Sequence, residues 1–99
     1  MRQAAYWFAE AASLGVTDSQ FNLAFLYEHG YGVTQNLVEA GKWYSVAARS
    51  GDKESQKRAD LVRAQLGTNE QAVVSKAAKD FRAVPFDLAA NVPPDAGNL

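Results

Sequence analysis

The amino-acid sequence predicts an all-α chain, a short right-handed stack of helical hairpins, and three observations lead there. Alanine occurs 18 times in 99 residues and the three prolines are Pro85, Pro93 and Pro94, so residues 1–84 have a helix-favouring composition throughout. Shifting the sequence by 36 positions places Ala4, Trp7, Ala11, Ala12, Gly15, Ser19 and Gln20 on Ala40, Trp43, Ala47, Ala48, Gly51, Ser55 and Gln56, and sets Phe8 on Tyr44. A repeat of this length marks units that bury a shared core by stacking on their neighbours. Within each unit the apolar residues recur at three- and four-residue spacing, the period of a helix with one buried face.

The elements follow in order. The first helix carries Ala4, Trp7, Phe8, Ala11 and Ala12 on one face, and its repeat carries Ala40, Trp43, Tyr44, Ala47 and Ala48. Both tryptophans are expected in the core rather than on a ligand-stacking surface. Gly15 and Gly51 sit where a left-handed residue closes a helix without a Cβ penalty. Thr17 with Gln20 and Asn36 with Glu39 have capping-box spacing, which predicts helix starts near residues 18 and 37. Phe21, Leu23, Ala24, Phe25, Leu26 and Tyr27 cover most of a helix circumference, so this helix is expected at the centre of the core.

Gly30 and Gly32 follow as a helix-to-helix turn; neither a Gly-x-x-x-x-Gly-Lys run nor a strand accompanies them, so no phosphate site is implied. A helix over 53–66 bears Lys53, Lys57, Arg58, Asp60 and Arg63, and leaves Ala59, Leu61, Val62 and Leu66 to bury. Its mixed charges read as a solvated face at the edge of the stack. Gly67 ends it, Thr68 with Gln71 repeats the capping spacing, and Val73, Val74, Ala77, Ala78 and Phe81 line a closing helix over 69–82. Lys76, Lys79, Asp80 and Arg82 give that helix the polar outer face a terminal element needs. The division is thus a repeat domain over 1–82 and a proline-containing extended tail or linker over 83–99, in which Phe86, Leu88 and Val92 favour docking of 84–88 with mobility beyond. Met1 runs into helix-interior sequence without a capping residue, which suggests a fragment of a longer chain.

The stretch Leu23-Ala24-Phe25-Leu26-Tyr27-Glu28-His29-Gly30-Tyr31-Gly32-Val33, followed by Ala40, Lys42-Trp43-Tyr44, Ala47-Ala48 and Gly51, resembles the Sel-one-like (SLR) repeat, a relative of tetratricopeptide solenoids. The likeness covers residues 4–66 and implies a tetratricopeptide-like stack of two units plus the capping helix. Ala24 and Gly41 depart from its pattern, which has Gly and Lys-type residues there, and the turn after the second unit lacks Gly-x-Gly-Val. More narrowly, Gly15 to Ala24, Lys42 to Ala48 and the helix ending in Phe81 resemble the C-terminal SLR segment of alphaproteobacterial polar localisation factors of the PodJ type. That resemblance implies a periplasmic location, in a membrane-tethered parent protein, and a role in organising the cell pole. A cytoplasmic location is the alternative.

Ten basic and eleven acidic residues leave a net charge of -1, so the chain has no cationic field for nucleic acid. No apolar run is long enough to insert in a membrane. Without cysteine there is no disulfide, thiolate metal site or cysteine nucleophile. His29 is the single imidazole and reads as a polar residue at a helix end. Ser19, Ser45, Ser50, Ser55 and Ser75 lack a nucleophile-elbow context. No spacing singles out a pair of carboxylates for acid–base work, so neither catalysis nor a metal or other cofactor is expected.

What remains is an interaction surface. In a helical-hairpin solenoid the first helix of each hairpin lines the concave side. The 36-residue offset pairs Gln3, Tyr6, Glu10 and Ser13 with Glu39, Lys42, Val46 and Arg49, and these eight are the candidate lining, though each could equally be a plain solvent-facing position. Tyr6, Lys42 and Arg49 carry most weight, because aromatic and long cationic groups dominate interface energies. The expected partner is another protein; the alternative is peptidoglycan or another glycan, stacked on Tyr6 or Tyr31 and bonded by Lys42 or Arg49.

Overall fold

The computed structural model describes residues 2–84. The tail from Pro85, with Phe86, Leu88 and Val92, lies outside the described residues. Five helices and no strand are present among the described residues: α1 (Arg2–Ser13), α2 (Thr17–His29), α3 (Leu37–Ala48), α4 (Lys53–Arg63) and α5 (Thr68–Asp80). They form a short tetratricopeptide-like helical solenoid in which α1 packs on α2, and α3 packs on α2, α4 and α5.

The repeat visible in the sequence is repeated in the backbone. Gly15 and Gly51 close α1 and α3 with φ of 95° and 94°, and their N–H groups donate to the carbonyls of Ala12 and Ala48 at 3.0 and 2.9 Å. A side chain would be strained at either position. Asn36 caps α3, its Oδ1 accepting the Glu39 N–H at 3.0 Å, and the Asp52 carboxylate caps α4 by accepting the Ser55 N–H at 3.3 Å. The turn after α2 begins at Gly30, whose N–H returns to the Leu26 carbonyl at 2.8 Å.

Three expectations about helix ends are corrected. Thr17 lies inside α2 rather than capping it, and Val16 occupies the cap position without a side-chain bond. Gln20 is instead buried, and its Nε2 donates to the Ala12 carbonyl at 3.2 Å, fastening α2 to the end of α1. Helix α4 stops at Arg63, three residues short of expectation, and Gly67 is the N-cap of α5 with an ordinary negative φ. Its N–H donates to Glu70 Oε1 at 3.3 Å, while Gln71 Nε2 donates to the Arg63 and Leu66 carbonyls at the end of α4. Finally, α5 spans 68–80 rather than 69–82: Phe81 has ψ of 133° and leaves the helix in extended conformation.

The core centres on α3, not on α2. Ala40, Gly41, Trp43, Tyr44, Val46 and Ala47 of α3 are all buried. On α2 only Gln20, Leu23, Ala24 and Leu26 are buried, and Phe21, Phe25 and Tyr27 remain partly open. The departure at position 41 has a physical reason: a Cβ on Gly41 would meet both methyls of Val74 at 3.3 Å and Val62 Cγ1 at 3.5 Å. Glycine lets α5 lie against α3 at a distance no longer side chain allows.

Other apolar positions are sorted by neighbours rather than by type. Ala59, Val62, Val74 and Ala78 are buried as expected, but Leu61 and Val73 are 58% and 55% exposed on outward faces of α4 and α5. The two tryptophans part company. Trp43 is 7% exposed, roofed by the Phe81 ring edge-on at 5.4 Å, whereas Trp7 is 43% exposed and meets Tyr6 edge-on at 5.9 Å. The expectation that both are core residues fails for Trp7, because no described residue roofs it as Phe81 roofs Trp43.

Two expected outcomes follow, both read by urea denaturation. Trp43→Ala costs about 3 to 5 kcal/mol, the range for deleting a large buried aromatic, while Trp7→Ala costs less than about 1 kcal/mol. Gly41→Leu overpacks the α3–α5 contact and costs about 1 to 3 kcal/mol, with exchange protection lost first in α5; a neutral result would show that α5 is not seated on α3.

Candidate interaction surface

The eight candidate positions fall into distinct environments. Gln3 is exposed, Tyr6 and Glu10 are half-buried, and Tyr6 shares its face with Trp7. On α3, Lys42 Nζ lies 3.9 Å from the Glu39 carboxylate and 4.5 Å from the centre of the Trp43 ring, so its charge sits over the face of the core aromatic. Val46 does not line a surface: it is 5% exposed and belongs to the core, where the turn of α3 between Trp43 and Ala47 faces inward.

Ser13 and Arg49, at the ends of α1 and α3, are joined by a feature absent from the sequence reading. The chain leaving α5 crosses from one to the other. Arg49 Nη1 donates to the carbonyls of Ala78 and Phe81, each at 3.1 Å, and its guanidinium stands 6.0 Å from the Phe81 ring. Two residues further the chain passes Gly15, where a Cβ would come within 3.1 Å of Ala83 Cβ, and then the Val84 N–H donates to the Ser13 carbonyl at 2.8 Å. Arg49 thus holds the open carbonyls at the end of α5, a position where a cation is favoured by the helix dipole. The sequence signal for this crossing was available. Val84 precedes Pro85, which disfavours helix at Val84, and Phe81 is a large apolar residue just before that stop.

A second polar assembly lies between α2, α3 and α4. The Tyr44 hydroxyl donates to Glu28 Oε1 at 2.7 Å, and Arg58 lies 4.0 Å from the same oxygen while its Nε donates to Glu54 Oε2 at 3.1 Å. Burial first, and then the Glu28 carboxylate beside it, push the Tyr44 phenol well above its ordinary value of 10.0. The Arg58 guanidinium covers the rings of Phe21 and Phe25 at 5.8 and 5.9 Å. Arg58 therefore crosses between helices, and Arg63 reaches α5, where its Nη2 donates to the Ser75 hydroxyl; Lys53, Lys57 and Asp60 are the exposed face expected of the run. The repeat offset carries the missed clue: tyrosine at 44 where the first unit has Phe8 is a buried hydroxyl that needs an acceptor.

His29 ends α2 and is exposed, as expected of a polar helix terminus. Its ring lies 4.4 Å from Phe25 and stacks on Tyr31 at 5.4 Å, and its Nε2 is 3.8 Å from Glu28 Oε1. Tyr31 is 46% exposed. Among the described residues no group of three or more His, Asp or Glu side chains is placed to hold a metal. No described helix is long and apolar enough to cross a membrane.

Repeat glycines, stacked hairpins and a shared core define a helical repeat protein of the tetratricopeptide-like class. The family model described as "Sel1 repeat" matches residues 1–16 and 17–52, and the chain belongs to the Sel1 repeat family. It is similar to the chitin synthase regulator SKT5 of Saccharomyces cerevisiae (strain ATCC 204508 / S288c), with 43% identity over 51 residues, 52% of this chain and 7% of that protein. It is also similar to the DAP3-binding cell death enhancer 1 of Rattus norvegicus, with 42% identity over 57 residues, 58% of this chain and 11% of that protein. The chain therefore spans a small part of the curated relatives it matches. No solved structure matches it significantly.

The Tyr44 assembly predicts an alkaline limit on stability. A phenol whose value is raised on folding contributes stability that is complete below 10.0 and declines as pH rises past it. Tyr27, raised by burial and then by Glu39, acts in the same direction. Tyr44→Phe is expected to cost about 1 to 2 kcal/mol at neutral pH and to shrink, without abolishing, the alkaline loss of stability. Thermal melts of both proteins on either side of pH 10.0 check it, and parallel pH curves would contradict it.

Proposed function

We propose that this stack is a non-catalytic module that binds a protein partner across the face formed by α1 and α3. Sel1 repeats generally mediate protein–protein interaction. The relatives are named as a chitin synthase regulator and as a DAP3-binding cell death enhancer. The observation that carries the reading is that two repeat-equivalent pairs of polar and aromatic groups stay out of the core: Gln3 and Tyr6 on α1, with Glu39 and Lys42 on α3. A half-buried aromatic and a lysine braced over a tryptophan lose little side-chain freedom on binding, which favours affinity.

The parent protein is, in this proposal, a polar localisation factor of the PodJ type, with the stack in the periplasm. Support comes from the resemblance carried by Gly15 to Ala24 and Lys42 to Ala48. An alkaline phosphatase fused after this segment in the parent protein is active only if the segment is exported, so an inactive, stable fusion would remove the periplasmic assignment.

The binding face is tested by photo-crosslinking from position 42 in the parent protein. A partner crosslinked from position 42 but not from the exposed Asp60 of α4, and lost with Tyr6→Ala and Glu39→Ala together, is the expected result; equal yields from positions 42 and 60 would discard this face. With purified peptidoglycan sacculi the chain is expected to remain in the supernatant. Saturable pelleting abolished by Tyr6→Ala with Lys42→Ala would replace the protein partner with a glycan.

A further inference from the structure

We propose that residues 81–84 are an internal ligand: they occupy a site built from Ser13, Gly15, Trp43 and Arg49 that takes an extended peptide with an aromatic side chain, and a partner peptide of that chemistry must displace them. The inference rests on the protein-binding reading and adds the form of the bound segment and its control. Three kinds of contact define the site. Trp43 offers its ring edge to an aromatic side chain, filled by Phe81 at 5.4 Å and an interplanar angle of 70°. Arg49 donates to the carbonyl of that same aromatic residue at 3.1 Å. The Ser13 carbonyl accepts the N–H of the residue three positions on, Val84, at 2.8 Å.

The two main-chain bonds recognise an extended backbone whatever its sequence, and the tryptophan edge selects an aromatic side chain. The site is held ready without its occupant. Arg49 is also bonded to the Ala78 carbonyl, so the end of α5 keeps the guanidinium in place when Phe81 leaves. Gly15, at φ of 95°, leaves open the space that Ala83 fills.

The occupant is partly open to solvent. Arg82 and Ala83 are exposed, and Phe81 and Val84 are half-buried. An incoming peptide competes with a tethered one, so its apparent affinity is reduced by the fraction of molecules in which the site is empty. If the internal segment is seated about nine-tenths of the time, releasing it tightens binding about tenfold.

The test uses the full 99-residue chain and, as probe, a fluorescein-labelled synthetic peptide with the sequence of residues 79–90. Phe81→Ala with Val84→Pro releases the internal segment by deleting the ring and the N–H donor. Fluorescence polarisation is expected to show the released chain binding the probe about tenfold tighter than the unaltered chain. Phe81→Ala within the probe, or Arg49→Ala in the released chain, is expected to abolish binding. Hydrogen exchange gives an independent readout, since the Val84 amide of the unaltered chain should be protected and should lose protection when saturating probe displaces it. Equal binding by unaltered and released chains would leave a peptide site and overturn its internal control. No binding by a released chain of unchanged helicity would overturn the internal ligand altogether, while crosslinking from position 42 reports separately on the protein-binding face.

Discussion

The stack depends on the smallness of one face of α3. Ala40, Gly41 and Ala47 bring almost no side chain to the contacts that α3 makes with α2, α4 and α5, and this lets three helices approach a fourth at close range. With the small residues forming the approach, volume is supplied by Tyr44, Val62 and Val74, which are fully buried. Close packing of this kind is what lets a short chain bury a shared core. The polar chemistry follows from the same geometry. Tyr44 points into the crowded seam of α2, α3 and α4, its hydroxyl must find an acceptor there, and Glu28 of α2 supplies it, with Arg58 of α4 lying 4.0 Å from the same carboxylate oxygen.

Local chemistry made much of the fold legible. The 36-residue offset anticipated α1 to α4, and the glycines that close α1 and α3 have nearly identical backbone angles because identical demands fall on them. Asn36 capped as its type and position suggested. What sequence could not decide was which face of a helix would find a neighbour. Trp7 and Trp43 occupy the same place in the repeat, yet one is covered and the other is not, because cover comes from Phe81, a residue outside the repeat. Thr17 and Gln20 had the spacing of a cap, but the hairpin sets Gln20 beside the end of α1, where the Ala12 carbonyl accepts its Nε2 in addition to the Gly15 N–H.

Of the candidate surface, the sequence marked positions rather than roles. Repeat offset located Ser13 and Arg49, and the structure brings both to one crossing segment. Their contributions differ in kind: Arg49 acts through its guanidinium, Ser13 through its main-chain carbonyl, a group every residue has and no composition reveals. Val46 shows the opposite limit. Its place in the offset matched Glu10, but an isopropyl group beside Trp43 and Ala47 goes to the core when a neighbour is near enough to cover it.

Gly41 also bears on how arrays of this kind grow and shrink by recombination. Units in a repeat gene are exchangeable when each presents the same shape to the next, and a unit with glycine at this position does not. It accepts only a helix that comes as close as α5, with Val74 set against the bare backbone. A tandem copy of residues 17–52 inserted after Asp52 would put a helix other than α5, without Val74, next to that bare backbone.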